Sequence, residues 1–284
     1  MSSVLTIMGY GFREAVRRKV FAVVLVLTAA FLVLFWLAVR YVFSRLSSIH
    51  PGDINVDPRT FAGAFLLGLA MFATLFLGVV LAVFLTLGVV SGDAERGLLQ
   101  PLVVRPVGRT TVLLSRFLGA ALVCIVYVLA VYGVALAIID VSGSWLPPTP
   151  LAPGLELAGG VVIAIALSTL GSVFLSSIAN GIAIFMLFGA GLTAGLLGSI
   201  GHALSSPTIE HASRDVAWAL PFEALYQDGL RIISSGANGV TGFLLQLGPF
   251  GGAFVHGWGV RIWSVGYLCA ALALAVFLFK RRDL

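Results

Sequence analysis

The stretch SGDAERGLLQPLVVRPVGRTTVLLSRFLG, from Ser91 to Gly119, decides how the rest of the chain is read. It carries Asp93, Glu95, Arg96, Arg105, Arg109 and Arg116, whereas Phe61 to Val90 before it and Phe117 to Ile139 at its end hold no charged side chain. A charge at the bilayer centre costs roughly 2.5–3.5 kcal/mol even on insertion scales, so this segment belongs in water or at the membrane face. Being short and arginine-rich, it is expected on the cytoplasmic side, where Lys and Arg collect. There it is placed to let something outside the membrane act on the part within.

Composition agrees. The 284 residues are 60% hydrophobic and only 10% charged, where soluble domains carry about 25% charged residues. The fold class expected is therefore an all-α integral membrane protein, with residues 1–284 forming a single membrane domain. The formal net charge of +5 is read as topology-setting Lys and Arg at helix ends, not as a nucleic-acid surface. Cys124 and Cys269 each sit in an apolar run and imply no disulfide framework. The N-terminus, with Arg13, Arg17, Arg18 and Lys19 before a long apolar span, is expected not to be a cleavable signal.

Working outward, residues 1–19 read as an amphipathic interfacial helix. Leu5, Met8, Phe12, Ala15 and Val16 follow helical spacing, and Arg13, Glu14, Arg17 and Arg18 face elsewhere. About 20 residues suffice to cross the hydrocarbon, which gives six spans. They are 20–43, 61–90, 111–139, 157–178, 181–200 and 260–279, with a tight turn at Ser176, Ser177 and Asn180. The loops 44–60 and 140–154 are rich in Pro, Gly and Asp. Gly191 and Gly195 form a G-x-x-x-G pair that lets backbones approach, either within one subunit or across a dimer.

Residues 201–259 make the longest non-spanning stretch, expected to be an external loop with re-entrant or interfacial helices. In it Pro221 opens a helical pattern with Phe222, Leu225, Tyr226, Leu230 and Ile233 on one side and Glu223, Gln227, Asp228 and Arg231 largely off it. Residues 240–254 are apolar but too short to span, and are expected to be re-entrant or interfacial. With this arrangement eleven of the seventeen Lys and Arg residues fall on one side of the membrane, together with both termini, and that side is expected to be cytoplasmic.

Much chemistry is excluded. A P-loop needs Lys followed by Ser or Thr, but the two lysines, Lys19 and Lys280, precede Val20 and Arg281. No H-x-x-x-H, C-x-x-C or G-x-S-x-G pattern occurs, so no catalytic residues and no metal site are assigned. His50, His202, His211 and His256 read as interfacial residues. The spans hold no Asp, Glu, Lys or His at their centres, which counts against a proton-driven carrier. Uphill transport would need energy from another subunit.

Glu95-Arg96-Gly97-Leu98-Leu99, then Arg105-Pro106-Val107-Gly108-Arg109, then Leu113 to Gly119 with Arg116, resembles the cytoplasmic signature of ABC type-2 exporter permeases. The basic stretch Arg13 to Lys19 is similar to that family's N-terminal elbow, and within the family the likeness is to permeases of nitrous oxide reductase maturation systems. Leu98 stands where the family usually has Thr, and Pro101 falls inside the expected coupling helix. The resemblance implies a non-enzymatic permease in a prokaryotic cell membrane, pairing with a second copy as a homodimer and exporting its cargo. Two cytoplasmic ATPase subunits would bind ATP and Mg and dock on residues 91–110, a coupling helix between the second and third spans. Asp93, Glu95, Arg96, Gly97 and Arg105 would make docking contacts, Pro106 and Gly108 would fix the exit turn, and Arg109 would anchor at the membrane face. The other class of reading is an ATP-independent channel or membrane scaffold whose loop docks a different partner. Apolar, Gly-rich spans suit lipids, hydrophobic drugs or peptides better than small ions, and equally suit a permease that only transmits force.

Overall fold

Apolar runs longer than the bilayer is thick form helices because backbone N–H and C=O groups find no other partners in hydrocarbon. The computed structural model of the protein describes residues 19–46, 57–86, 109–236, 241 and 257–281. Among them lie eight helices and no strand. They are α1 (Lys19–Leu46), α2 (Pro58–Thr86), α3 (Arg109–Gly143), α4 (Ala152–Gly171), α5 (Ser177–Ala203), α6 (Pro207–Ala219), α7 (Pro221–Ser234) and α8 (Gly257–Arg281). Six of these, all but α6 and α7, are long and apolar enough to cross a membrane. The protein is an all-α integral membrane protein.

The core gathers around α2, whose Leu67, Met71, Leu75 and Val79 are fully buried. Helices approach closely in lipid where a small residue replaces a bulky one. At Gly78 of α2 a Cβ would come within 2.9 Å of Val161 in α4 and 3.1 Å of Val128 in α3, so only glycine permits this contact. By contrast α1 and α8 expose long apolar faces, among them Val26, Leu34, Ile262 and Val265, as lipid-facing helices do. At its end α1 folds the Arg40 guanidinium back over the Trp36 ring at 5.5 Å.

Several boundaries move from those expected. Helix α3 runs through Asp140 to Gly143 and stops where Ser144 turns left-handed at φ 49°, its N–H donating to the Asp140 carbonyl at 2.8 Å. Helix α4 starts earlier and ends at Gly171, not Ile178, and Asn180 lies within the first turn of α5 instead of in the turn before it. The cause is Asn180 itself. Its buried side chain takes the space beside Gly171, where a Cβ would strike Oδ1, and draws the start of α5 against the end of α4.

Within 201–259, residues 207–234 form a helical hairpin folded back against the bundle. Helix α6 lies against α5, with Ser213 Oγ donating to the Ala194 carbonyl at 2.6 Å. The chain reverses at Leu220, which is buried, and α7 begins on Pro221, whose missing N–H costs nothing at a first helical position. Phe222 then stacks on Phe188 near the middle of α5 with centroids 6.0 Å apart, and Phe188 meets Phe76 near the middle of α2. The apex thus sits at mid-height, where a break in helical backbone is tolerated only because protein surrounds it. The expected re-entrant stretch 240–254 lies outside the described residues apart from Thr241.

The start of α2 shows an ordinary cap. Asp57 Oδ2 accepts from the Thr60 hydroxyl at 2.5 Å and Oδ1 from the Arg59 N–H at 3.1 Å. The Thr60 hydrogen bond leads the effects that hold its carboxyl below the usual carboxylate range. A lowered folded pKa contributes stability that is present above the unfolded value and lost as pH falls through the folded one. Asp57→Ala is expected to cost about 1 kcal/mol at neutral pH, a cap's usual weight, and progressively less as acid protonates the carboxylate. Denaturant unfolding at neutral and at acid pH checks it.

Candidate functional site

Polar side chains inside an apolar bundle are costly unless paired, so the paired ones mark where the fold is specified and where it can work. Besides the buried hydroxyl pair of Thr28 and Tyr127 between α1 and α3, three such groups among the described residues tie the hairpin and the end of α2 to the bundle.

The first lies at the end of the bundle that carries the 144–151 connection. Arg261 of α8 donates from Nε to Glu156 Oε1 of α4 at 2.7 Å and from Nη2 to Asp228 Oδ2 of α7 at 3.1 Å. Asp228 Oδ1 accepts in turn from Arg231 Nη2 at 3.0 Å and Nε at 3.2 Å. Two cations and two anions balance, and Asp228 at the centre is fully buried. Breaking such a buried pair from one side costs about 3–5 kcal/mol, because the remaining charge is stranded. The cluster clamps the hairpin to α4 and α8. Arg261 also lies over the exposed Trp258 ring at 5.3 Å.

The second group is inside the hairpin. Gln227 Nε2 donates to Glu223 Oε1 at 2.8 Å, both side chains are buried, and Glu223 Oε2 and Gln227 Oε1 have no partner among the described residues. Among the described residues no cation neighbours Glu223. Burial pushes its carboxyl up to about 8, against a smaller lowering by the Gln227 amide. The pair fits because α5 offers no side chain opposite: at Gly195 a Cβ would strike Glu223 Oε1 and Gln227 Nε2, and at Gly191 it would come within 2.9 Å of the Phe222 ring. The G-x-x-x-G ridge of α5 is therefore occupied by α7 of the same chain, not by a second copy. Although they lie off the apolar side of α7, Glu223, Gln227 and Asp228 are all buried. An ionisable group does sit deep in the bundle, supplied by a helix that does not span.

The third group lies at the opposite end. Thr86, the last residue of α2, brings its hydroxyl within 2.5 Å of Ser168 Oγ in α4, and Asn180 Nδ2 of α5 donates to the Ser168 carbonyl at 2.9 Å and to Oγ at 3.2 Å. All three are buried. Thr86 is also the last described residue before the charged segment, so the root of that segment is hydrogen-bonded to the α4–α5 corner. A sequence reading sees three scattered hydroxyl and amide residues and misses this knot.

Of the residues expected to dock a partner, Asp93, Glu95, Arg96, Gly97, Arg105, Pro106 and Gly108 lie outside the described residues, as do Arg13, Glu14, Arg17 and Arg18 of the elbow. Arg109 opens α3. His50 and His256 are also outside, and His211 is exposed on α6.

No curated protein is similar enough to the chain to count as a match. The sequence model of a family described as ABC-2 family transporter protein matches residues 5–284, which takes in all six apolar helices, the hairpin and the charged segment. The chain belongs to this family of ABC-transporter membrane components, whose members work with ABC ATPase subunits.

Proposed function

We propose that the protein is the permease half of an ATP-driven exporter, working as a dimer in a prokaryotic cell membrane with both termini in the cytoplasm. Each copy docks one ATPase subunit through residues 91–110, and all ATP and Mg chemistry belongs to that subunit. Within the family the proposed likeness is to the permeases of nitrous oxide reductase maturation systems. The observation that carries the proposal is the knot of Thr86, Ser168 and Asn180 at the root of the charged segment. A segment moved by a docked ATPase pulls on the end of α2, and the buried hydrogen bonds pass that pull to α4 and α5 together. A lever of this kind needs rigid attachment, and a network in a low-dielectric interior supplies it.

Affinity purification from native membranes, followed by mass spectrometry, tests the reading. The wild type is expected to recover a P-loop ATPase, and Glu95→Arg or Arg109→Glu to reduce that recovery at least tenfold. Equal recovery with the charge-reversed chains overturns it, as does labelling of Glu95→Cys from outside the cell.

A further inference from the structure

A cleft of about 540 Å³ opens between α3, α4, α7 and α8 beside the charged cluster. Its walls are almost wholly apolar, including Ile125, Val162, Leu225 and Leu268, and its polar groups are few: Glu156, Arg261 and Ser264. These three come in a fixed order along the helices. Arg261 stands one turn into α8, Ser264 lies about 4.5 Å further along the axis, and Leu268 is a turn beyond that. Ser264 lines the cleft, and its buried hydroxyl has no hydrogen-bond partner among the described residues, although helical serines usually find one in the preceding turn. Arg261 uses Nε and Nη2 on its carboxylate partners, and its Nη1 is bonded to none of the described residues.

Two further features set the scale. The lining of α4 runs from Ala152 to Ile163, about 16 Å of helix, which is close to half of the ~30 Å hydrocarbon thickness. Trp258 stands exposed at the mouth, the residue type that collects at headgroup level. The cleft therefore spans one leaflet, polar at its rim and apolar below.

We propose that this cleft binds a single phospholipid of the surrounding bilayer, with its phosphate on Arg261, an ester carbonyl accepting from Ser264 and one acyl chain along α4 and α8. The order of phosphate, ester and chain matches the order of Arg261, Ser264 and Leu268. The orphaned hydroxyl gains an acceptor, and the free guanidinium edge an anion. The site is independent of whether an ATPase drives the protein.

The test uses the full-length protein in lipid nanodiscs with a phosphatidylglycerol bearing a diazirine midway along one chain, mapping the crosslinked peptides after illumination. Label is expected to concentrate on 152–163 and 258–268 over the exposed face of α1, which reports ordinary surrounding lipid. Leu268→Trp, which fills the cleft, should reduce that label at least tenfold while leaving label on α1 unchanged. Ser264→Ala should weaken it about fivefold, one hydrogen bond's worth. A lysophospholipid should compete at least fivefold better than a fatty alcohol of equal chain length. Label spread evenly over α1 and α8 overturns the proposal, as does equal competition by the alcohol. A cleft occupied instead by residues 242–256 or by a second copy would leave label unchanged in Leu268→Trp, which overturns it too.

Discussion

Replacing Asp228 with Asn is expected to cost about 3 kcal/mol of stability and to loosen the hairpin from the bundle. Asp228 is fully buried and accepts from both Arg231 and Arg261. Asparagine keeps the shape but removes the charge, leaving two guanidinium groups with Glu156 as the one counter-ion among their partners in the described residues. The penalty is that of a buried pair broken from one side, which exceeds what the intact pair contributes. The partners should be unequal. Arg231→Gln should cost less than half as much, because Asp228 keeps Arg261 and the lost side chain is 34% exposed. Thermal unfolding in mild detergent and protease cleavage between 207 and 234 read the two effects. If Asp228→Asn unfolds like wild type, or if Arg231→Gln is the more damaging, the clamp is not organised around Asp228.

The contrast between what was legible and what was not follows from the same cluster. Six spans can be read from the chain because span length and apolarity are properties of consecutive residues, and all six are present. Their ends shift where a single contact decides them, as Asn180 does beside Gly171. The packing of the hairpin could not be read, because Glu223, Gln227, Asp228 and Arg231 fall off the apolar side of α7 and nothing local says what they meet. Asp228 meets Arg261, later in the chain, which in turn holds Glu156, far earlier, and no periodicity links the three. Small residues at Gly191 and Gly195 signal close approach, but spacing carries no information about which helix approaches. The knot of Thr86, Ser168 and Asn180 joins three helices and was invisible for the same reason. The docking residues around Glu95 rest on the family signature, with their motif in the sequence and their geometry outside the described residues.

Glu223 makes the stability of the protein fall as pH rises, and Glu223→Gln is expected to abolish most of that dependence. Burial without a cation raises its folded pKa to about 8, while an exposed glutamate titrates near 4.5. Between those values the folded chain holds a proton that the unfolded chain has released. Stability therefore declines with rising pH, by up to about 1 kcal/mol per pH unit within the window. A raised folded pKa gives a contribution that is complete below the unfolded value and gone once pH passes the folded one, so wild type should be most favoured near pH 5 and flat above pH 9. Asp57 acts with the opposite sign, but its transition lies below pH 4 and outside this window. Glutamine is neutral throughout and nearly isosteric, so Glu223→Gln should match wild type at pH 5 and unfold several degrees higher at pH 9. Gly195→Val separates charge from packing: its branched side chain strikes Glu223 and Gln227 and should destabilise the protein at pH 5 and pH 9 alike. The measurement is thermal unfolding of the detergent-solubilised protein at half-unit steps from pH 5 to pH 9. Parallel curves for wild type and Glu223→Gln would mean that Glu223 is charged in the fold, and that some other group supplies the counter-charge its surroundings lack.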